Sequence, residues 1–268
     1  MSIKDHFDGK RTWSSLDRKS CPFSAAVLGG ALNSVAGGGS FFTFPALVLF
    51  GMPPVNANAT NTVVLWPGSL ASVHAYRKEF ATEKHRLRVY GAVSLLGGVL
   101  GALLLLNTKQ STFQKLIPYL LLLATLLFTF GGSAAAWVRS RFRFDHDSTS
   151  RGQIGILFLQ LLIAIYGGYF GGGIGILMLA LLSVLGMENI HAMNALKTLF
   201  ATCINGMAVI TFIVAGAVIW SKASLMIGGA VLGGYGGAYF AQKINPLWVR
   251  RFVTFTGLIL TVYFFYKY

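Results

Sequence analysis

Ala36-Gly37-Gly38-Gly39-Ser40 decides how this chain is read, and Phe170-Gly171-Gly172-Gly173-Ile174 repeats it in the second half. A glycine costs about 1 kcal/mol relative to alanine inside a helix, yet both triplets lie in apolar sequence that continues on either side. Two breaks in otherwise helical, hydrophobic segments are expected. At membrane depth such a break strands N–H and C=O groups, which is tolerated only where protein buries them or a water-filled cavity hydrates them. Matched breaks in two halves point to a shared cavity.

The surrounding composition supplies the membrane. Of 268 residues, 54% are hydrophobic and 11% charged, and the mean hydropathy is +0.64, too apolar and too continuous for an ordinary soluble domain. The expected fold class is an all-α integral membrane protein. A net charge of +14 would suggest nucleic acid in a soluble chain. Here the basic residues lie between apolar segments, where they set topology or meet anionic lipid, so no nucleic-acid partner is expected. Cys21 and Cys203 have no paired spacing and no neighbouring histidine, so neither a disulfide framework nor a metal site is indicated, and no cofactor is expected.

Eight apolar segments follow one another at 22–51, 55–76, 89–107, 113–138, 153–186, 190–217, 222–241 and 246–266, most of them near the roughly 20 residues that cross a bilayer. The first and fifth are longer and carry the triplets, so each reads as a discontinuous helix or a re-entrant hairpin. The organisation is an N-terminal cytosolic arm at 1–21, a membrane repeat at 22–138, a basic linker at 139–152 and a second repeat at 153–268. Arg77, Lys78, Lys84, Arg86 and Arg88 fill one connection and Arg139, Arg141, Arg143 and Arg151 another. The positive-inside rule puts both in the cytoplasm. If all eight segments cross, the basic arm joins them there and the N-terminus is cytoplasmic. Lys243, Arg250 and Arg251 then lie outside, against the rule. If the first and fifth turn back, each half crosses an odd number of times and the halves are inverted.

The two halves repeat an order of features. Leu49-Phe50-Gly51-Met52 follows the first triplet at nearly the distance at which Val184-Leu185-Gly186-Met187 follows the second. Each Gly-Met pair precedes a polar patch that opens the next segment: Asn56 to Asn61 in one half, His191 to Lys197 in the other. Such repeats generate alternating-access carriers with the substrate near the midplane; the competing reading is that the glycines only let helices pack closely. Gly97, Gly98 and Gly101, and Gly228 through Gly237, have no polar company and read as packing faces, which also permit a homodimer.

Lys197 is the basic residue placed deepest inside a predicted span, and an intramembrane charge is a functional-site hypothesis by default. A cation pathway would show Asp or Glu facing the cavity. Here the available groups are one ammonium, glycine-turn N–H groups, helix N-termini and neutral amide and hydroxyl side chains, all suited to an anion. The candidate substrate-binding residues are Gly37, Gly38, Gly39, Ser40, Asn58, Thr60, Asn61, Gly171, Gly172, Gly173, Asn194 and Lys197. The bland alternative for Lys197 is snorkelling to the interface. His74 and His191 are candidates for proton coupling, against a simple interfacial role. Asn205 and the Trp66-Pro67-Gly68 kink lie further along the same spans, where Asn205 either faces the cavity or bonds a neighbouring helix. No nucleophile–base set, paired carboxylates or phosphate loop is present, so an enzyme is not expected.

At Gly37 through Pro45, Leu47 through Gly51, Asn58-Ala59-Thr60-Asn61, Gly171-Gly172-Gly173 and Asn194 through Thr198, the chain resembles the sulfite exporter family TauE/SafE, the sulfonate uptake permease family. The resemblance covers most of 22–266. It implies a secondary transporter of the cytoplasmic membrane moving sulfite, sulfoacetate or related sulfonates and organic anions, in several members outward. The rivals are an anion or small-solute channel and a non-transporting membrane subunit.

Overall fold

The computed structural model describes residues 17–36, 39–75, 84–141, 150–187, 189–241 and 246–268. Among them the chain forms ten helices and no strands: α1 (Asp17–Ala36), α2 (Ser40–Leu49), α3 (Pro54–Ala75), α4 (Lys84–Asn107), α5 (Gln110–Arg141), α6 (Ser150–Tyr169), α7 (Ile174–Val184), α8 (Ile190–Val214), α9 (Trp220–Ala241) and α10 (Pro246–Lys267). The apolar segment 22–51 falls on α1 and α2, and 153–186 on α6 and α7. The N-terminal arm through residue 16, with Gly37 and Gly38, lies outside the described residues. Among the described residues three helices are long and apolar enough to cross a membrane, over Arg86–Asn107, Gln110–Gly131 and His191–Val214. Large apolar side chains also line the exterior, including Leu96, Leu104, Phe130, Phe158, Leu232 and Phe255, as expected of a bundle whose solvent is lipid.

The break in the second half is built by glycine. Gly171 and Gly173 have φ of 79° and 77°, a left-handed conformation that costs other residues more. Gly173 then caps α7, while the Tyr166 hydroxyl donates to the Gly172 carbonyl at 2.6 Å, covering an acceptor that the interruption exposes. The Gly-Met pairs have an equally local cause. Gly51 N–H donates to Val48 O and Met52 N–H to Leu47 O, both at 3.1 Å; Gly186 and Met187 do the same to Ser183 O at 3.0 Å and Leu182 O at 3.2 Å. These are paired Schellman closures ending α2 and α7.

Helix directions follow from the contacts. α3 and α8 run antiparallel: Asn56 reaches Ala217 O, Thr60 reaches Ile219 N, and Trp66 reaches Thr202 O. α5 and α10 are antiparallel as well, with Tyr119 against Phe265 and Thr129 against Thr254. By contrast α1 runs parallel to α9, where Gly229 meets Phe23 and Gly233 meets Val27. α6 likewise runs parallel to α4, where Gly97 meets Ala164 and Gly101 meets Ile165 and Gly168. Gly97, Gly98, Gly101, Gly229 and Gly233 therefore bring helix backbones together within the chain, leaving no room for a Cβ, whereas Gly228 and Gly236 face open space.

One end of the bundle gathers the end of α3, the start of α4, the end of α5, the starts of α6, α8 and α10 and the end of α9. The other gathers the start of α3, the end of α4, the start of α5, the α8–α9 connection and the end of α10. Lys84, Arg86, Arg88, Arg139, Arg141, Arg151, Arg250 and Arg251 belong to helices at the first, basic end.

Candidate functional site

α3, α7 and α8 enclose a cavity of about 500 Å³, completed by Asn33 of α1, Ser40 of α2, Phe128 of α5 and the Phe170–Gly173 turn. Its walls come from the C-terminal half of α3, Thr62 through Ser72, and the N-terminal half of α8, Asn194 through Asn205. The cavity therefore lies toward the basic end.

Lys197 is the only charged residue among those lining it. α8 begins at the Asn189 cap, whose side chain accepts from His191 N at 2.9 Å and Ala192 N at 3.2 Å, and two turns later Lys197 Nζ donates to Asn194 Oδ1 at 2.9 Å. Gly175 gives the lysine stem its space, since a Cβ there would stand 3.4 Å from Lys197 Cδ. α7 starts at the cavity wall, with Gly173, Ile174 and Gly175 lining it, so the positive end of that helix faces the same space.

Hydroxyls are numerous but mostly committed. Thr198 donates to Asn194 O and Thr202 to Thr198 O, both at 2.7 Å; Thr62 donates to Asn58 O at 2.9 Å and Ser72 to Gly68 O at 3.0 Å. Trp66 spans from α3 to α8, its Nε1 donating to Thr202 O at 3.1 Å. Gly206 makes the room, for a Cβ there would lie 3.1 Å from that nitrogen.

The predicted residues divide. Ser40, Gly171, Gly173, Asn194 and Lys197 line the cavity, and so does Asn205. Asn58, Thr60 and Asn61 are 1%, 0% and 2% exposed and are not brought to that wall. Asn58 Nδ2 donates to Tyr169 O at 2.9 Å while its buried Oδ1 has no partner. Thr60 accepts from Ile219 N at 3.1 Å, and Asn61 accepts from Thr43 Oγ1 and donates to Ser40 Oγ at 3.3 Å. Gly39 is buried where α2 crosses Gly29 of α1, and Gly172 lies against Phe170 and Ala124. Gly37 and Gly38 fall outside the described residues. His74 and His191 are exposed near the end of α3 and the start of α8 and do not line the cavity. Asn33, Ser69, Ser72, Thr198 and Thr202 line it without a signal that singles them out in sequence.

Beyond the cavity, toward the other end, the path is filled. Phe44 packs against Phe113 and Phe170 at ring-centroid distances of 6.3 and 5.6 Å, and Phe113 against Tyr169 at 5.6 Å. Gln110 ties the start of α5 to α3, accepting from Val55 N at 2.9 Å and donating to Asn56 Oδ1 at 3.0 Å. Asn56 in turn donates to Ala217 O at 2.9 Å.

Residues 23–264 match the family described as sulfite exporter TauE/SafE. A probable membrane transporter protein of Haemophilus influenzae is 27% identical over 244 residues, covering 89% of this chain and 91% of that one. The probable membrane transporter protein YfcA of Escherichia coli K12 is 26% identical over 250 residues, 91% and 88% of the two chains. A probable membrane transporter protein, ORF9, of a Sinorhizobium species is 29% identical over 245 residues, 90% and 89% of the two. No solved structure matches.

Proposed function

Because the chain belongs to the TauE/SafE family of membrane transporters, we propose that it is a secondary carrier for small anions, sulfur-containing or organic, acting outward across the cytoplasmic membrane. The observation that carries this reading is a cavity whose one charged group is the Lys197 ammonium and whose described walls contain no Asp or Glu. The N-terminal end of α7 adds to the positive field. A cation pathway needs the opposite inventory.

In this reading the chain is two inverted repeats, α1–α5 and α6–α10. Supporting it are the reciprocal parallel pairs α1–α9 and α6–α4, the antiparallel self-pairs α3–α8 and α5–α10, and the matched Schellman closures. Helices α1 and α2 form one re-entrant unit and α6 and α7 the other, leaving three crossings per half. The basic end is then cytoplasmic, and Arg250 and Arg251 obey the positive-inside rule that they violate when all eight segments cross. Since α1 runs with α9, it starts from the far side, and the N-terminal arm is non-cytoplasmic, reversing the expectation drawn from its own charge.

The cavity toward the basic end is thus the inward-open site. The filled layer of Phe44, Phe113, Phe170 and Tyr169, latched by Gln110 and Asn56, is the outer seal. Rocking of the halves opens that seal and exposes the Asn58–Asn61 patch while Asn194 and Lys197 close over. A thermal-shift screen of the purified chain against sulfite, sulfoacetate, taurine, thiosulfate and sulfate tests the reading. Stabilisation by one or more anions, lost in Lys197→Met, is expected; no stabilisation by any would contradict it.

A further inference from the structure

We infer that the cavity selects a monovalent organic anion, a single sulfonate or carboxylate on a short apolar body, over dianions of the same length. This rests on the anion-carrier reading and narrows it.

The first argument is the charge inventory. Lys197 supplies the one formal positive charge in the wall, and its ammonium, shared with Asn194 Oδ1 at 2.9 Å, has protons left for one anionic head. A second anionic group would meet no counter-charge in the wall and would lose part of its hydration there, which disfavours it relative to a monoanion.

The hydroxyls do not replace that charge. Thr62, Ser72, Thr198 and Thr202 each donate their proton to a backbone carbonyl. What they turn to the cavity is oxygen lone pairs, which accept hydrogen bonds and repel an anion. Trp66 Nε1 is likewise given to Thr202 O. The donors left on Asn33, Ser40, Ser69, Asn194 and Asn205 are neutral, so they hydrogen-bond an anion without offsetting a second charge, and positive charge is concentrated at Lys197.

The third argument is the apolar part of the wall. Leu65, Phe128, Ile176 and Leu179 line the same space, and a cavity of about 500 Å³ holds on the order of fifteen water volumes. An oxyanion of four heavy atoms fills a small part of it and leaves that wall uncovered. An anion with an apolar body of a few carbons covers it and gains burial.

The test is direct binding to the purified full chain at pH 8, using propanesulfonate, its dianionic counterpart sulfopropanoate, methanesulfonate and sulfate. Propanesulfonate is expected to bind at least about tenfold more tightly than each of the others. Lys197→Met should weaken its binding by roughly tenfold to 100-fold, and Leu179→Asn should weaken propanesulfonate while sparing methanesulfonate. Equal or tighter binding of sulfopropanoate or sulfate overturns the charge selection and leaves the anion carrier standing. Equal binding of methanesulfonate and propanesulfonate overturns the apolar body. If neither these four nor sulfite and thiosulfate bind, both the selection and the carrier reading fail.

Discussion

At the scale of one residue the proposed carrier rests on Lys197, the one charged residue among those lining the cavity. A charge-assisted hydrogen bond contributes about 1.5–3 kcal/mol, so Lys197→Met is expected to weaken anion binding by roughly tenfold to 100-fold with the protein still folded. Lys197→Arg keeps the charge and should keep binding, with turnover reduced because the longer planar guanidinium changes the hydrogen-bond geometry at Asn194. Binding titrations with parallel uptake assays check both. Lys197 was legible as a lone charge within an apolar span. Thr198 and Thr202 were not, since span hydroxyls commonly bond the carbonyl four residues back and sequence does not say which of them also face a cavity. Asn58, Thr60 and Asn61 looked like ligand donors for the same reason that they make good helix-to-helix bonds: amides and hydroxyls serve either use.

The glycine triplets and the latch act as elements. The triplet at 171–173 was readable because helix-breaking residues inside an apolar run need a reason, and left-handed Gly171 and Gly173 supply it. The fold-back of α2 and α7 was not, because length alone leaves crossing and re-entry open. A side chain at Gly172 would stand 2.8 Å from the Phe170 ring and 3.1 Å from Ala124 Cβ. Gly172→Leu should therefore push Phe170 into the path and cut transport at least about tenfold, overpacking costing about 1–3 kcal/mol. Gln110 holds Asn56 in place by two hydrogen bonds within the first half, and Asn56 donates across to Ala217 O of the second, each bond worth about 1 kcal/mol. Gln110→Ala is expected to raise the labelling rate of a cysteine at position 58 by roughly tenfold or more. Thiol labelling in a Cys21→Ser, Cys203→Ser background measures this. An unchanged rate would mean that the latch does not hold the seal.

Across the whole molecule, the sequence carries the class, an all-helical chain with apolar spans, while the direction of each helix depends on contacts between distant segments. The Phe23–Gly229 and Val27–Gly233 approaches fix α1 alongside α9, and no local signal encodes that. The proposed inverted arrangement puts both termini outside: a reporter fused after Tyr268 that is active only beyond the membrane should be active, and the same reporter inserted at residue 80 inactive. A carrier, unlike a pore, exchanges its passengers through one occluded site. Counterflow in proteoliposomes tests this most directly, with vesicles preloaded with unlabelled propanesulfonate and a trace of labelled propanesulfonate outside. Transient uphill accumulation of label in the wild type and none in Lys197→Met is the predicted result. Flux that rises linearly with concentration, shows no counterflow and is unchanged by the substitution would contradict it.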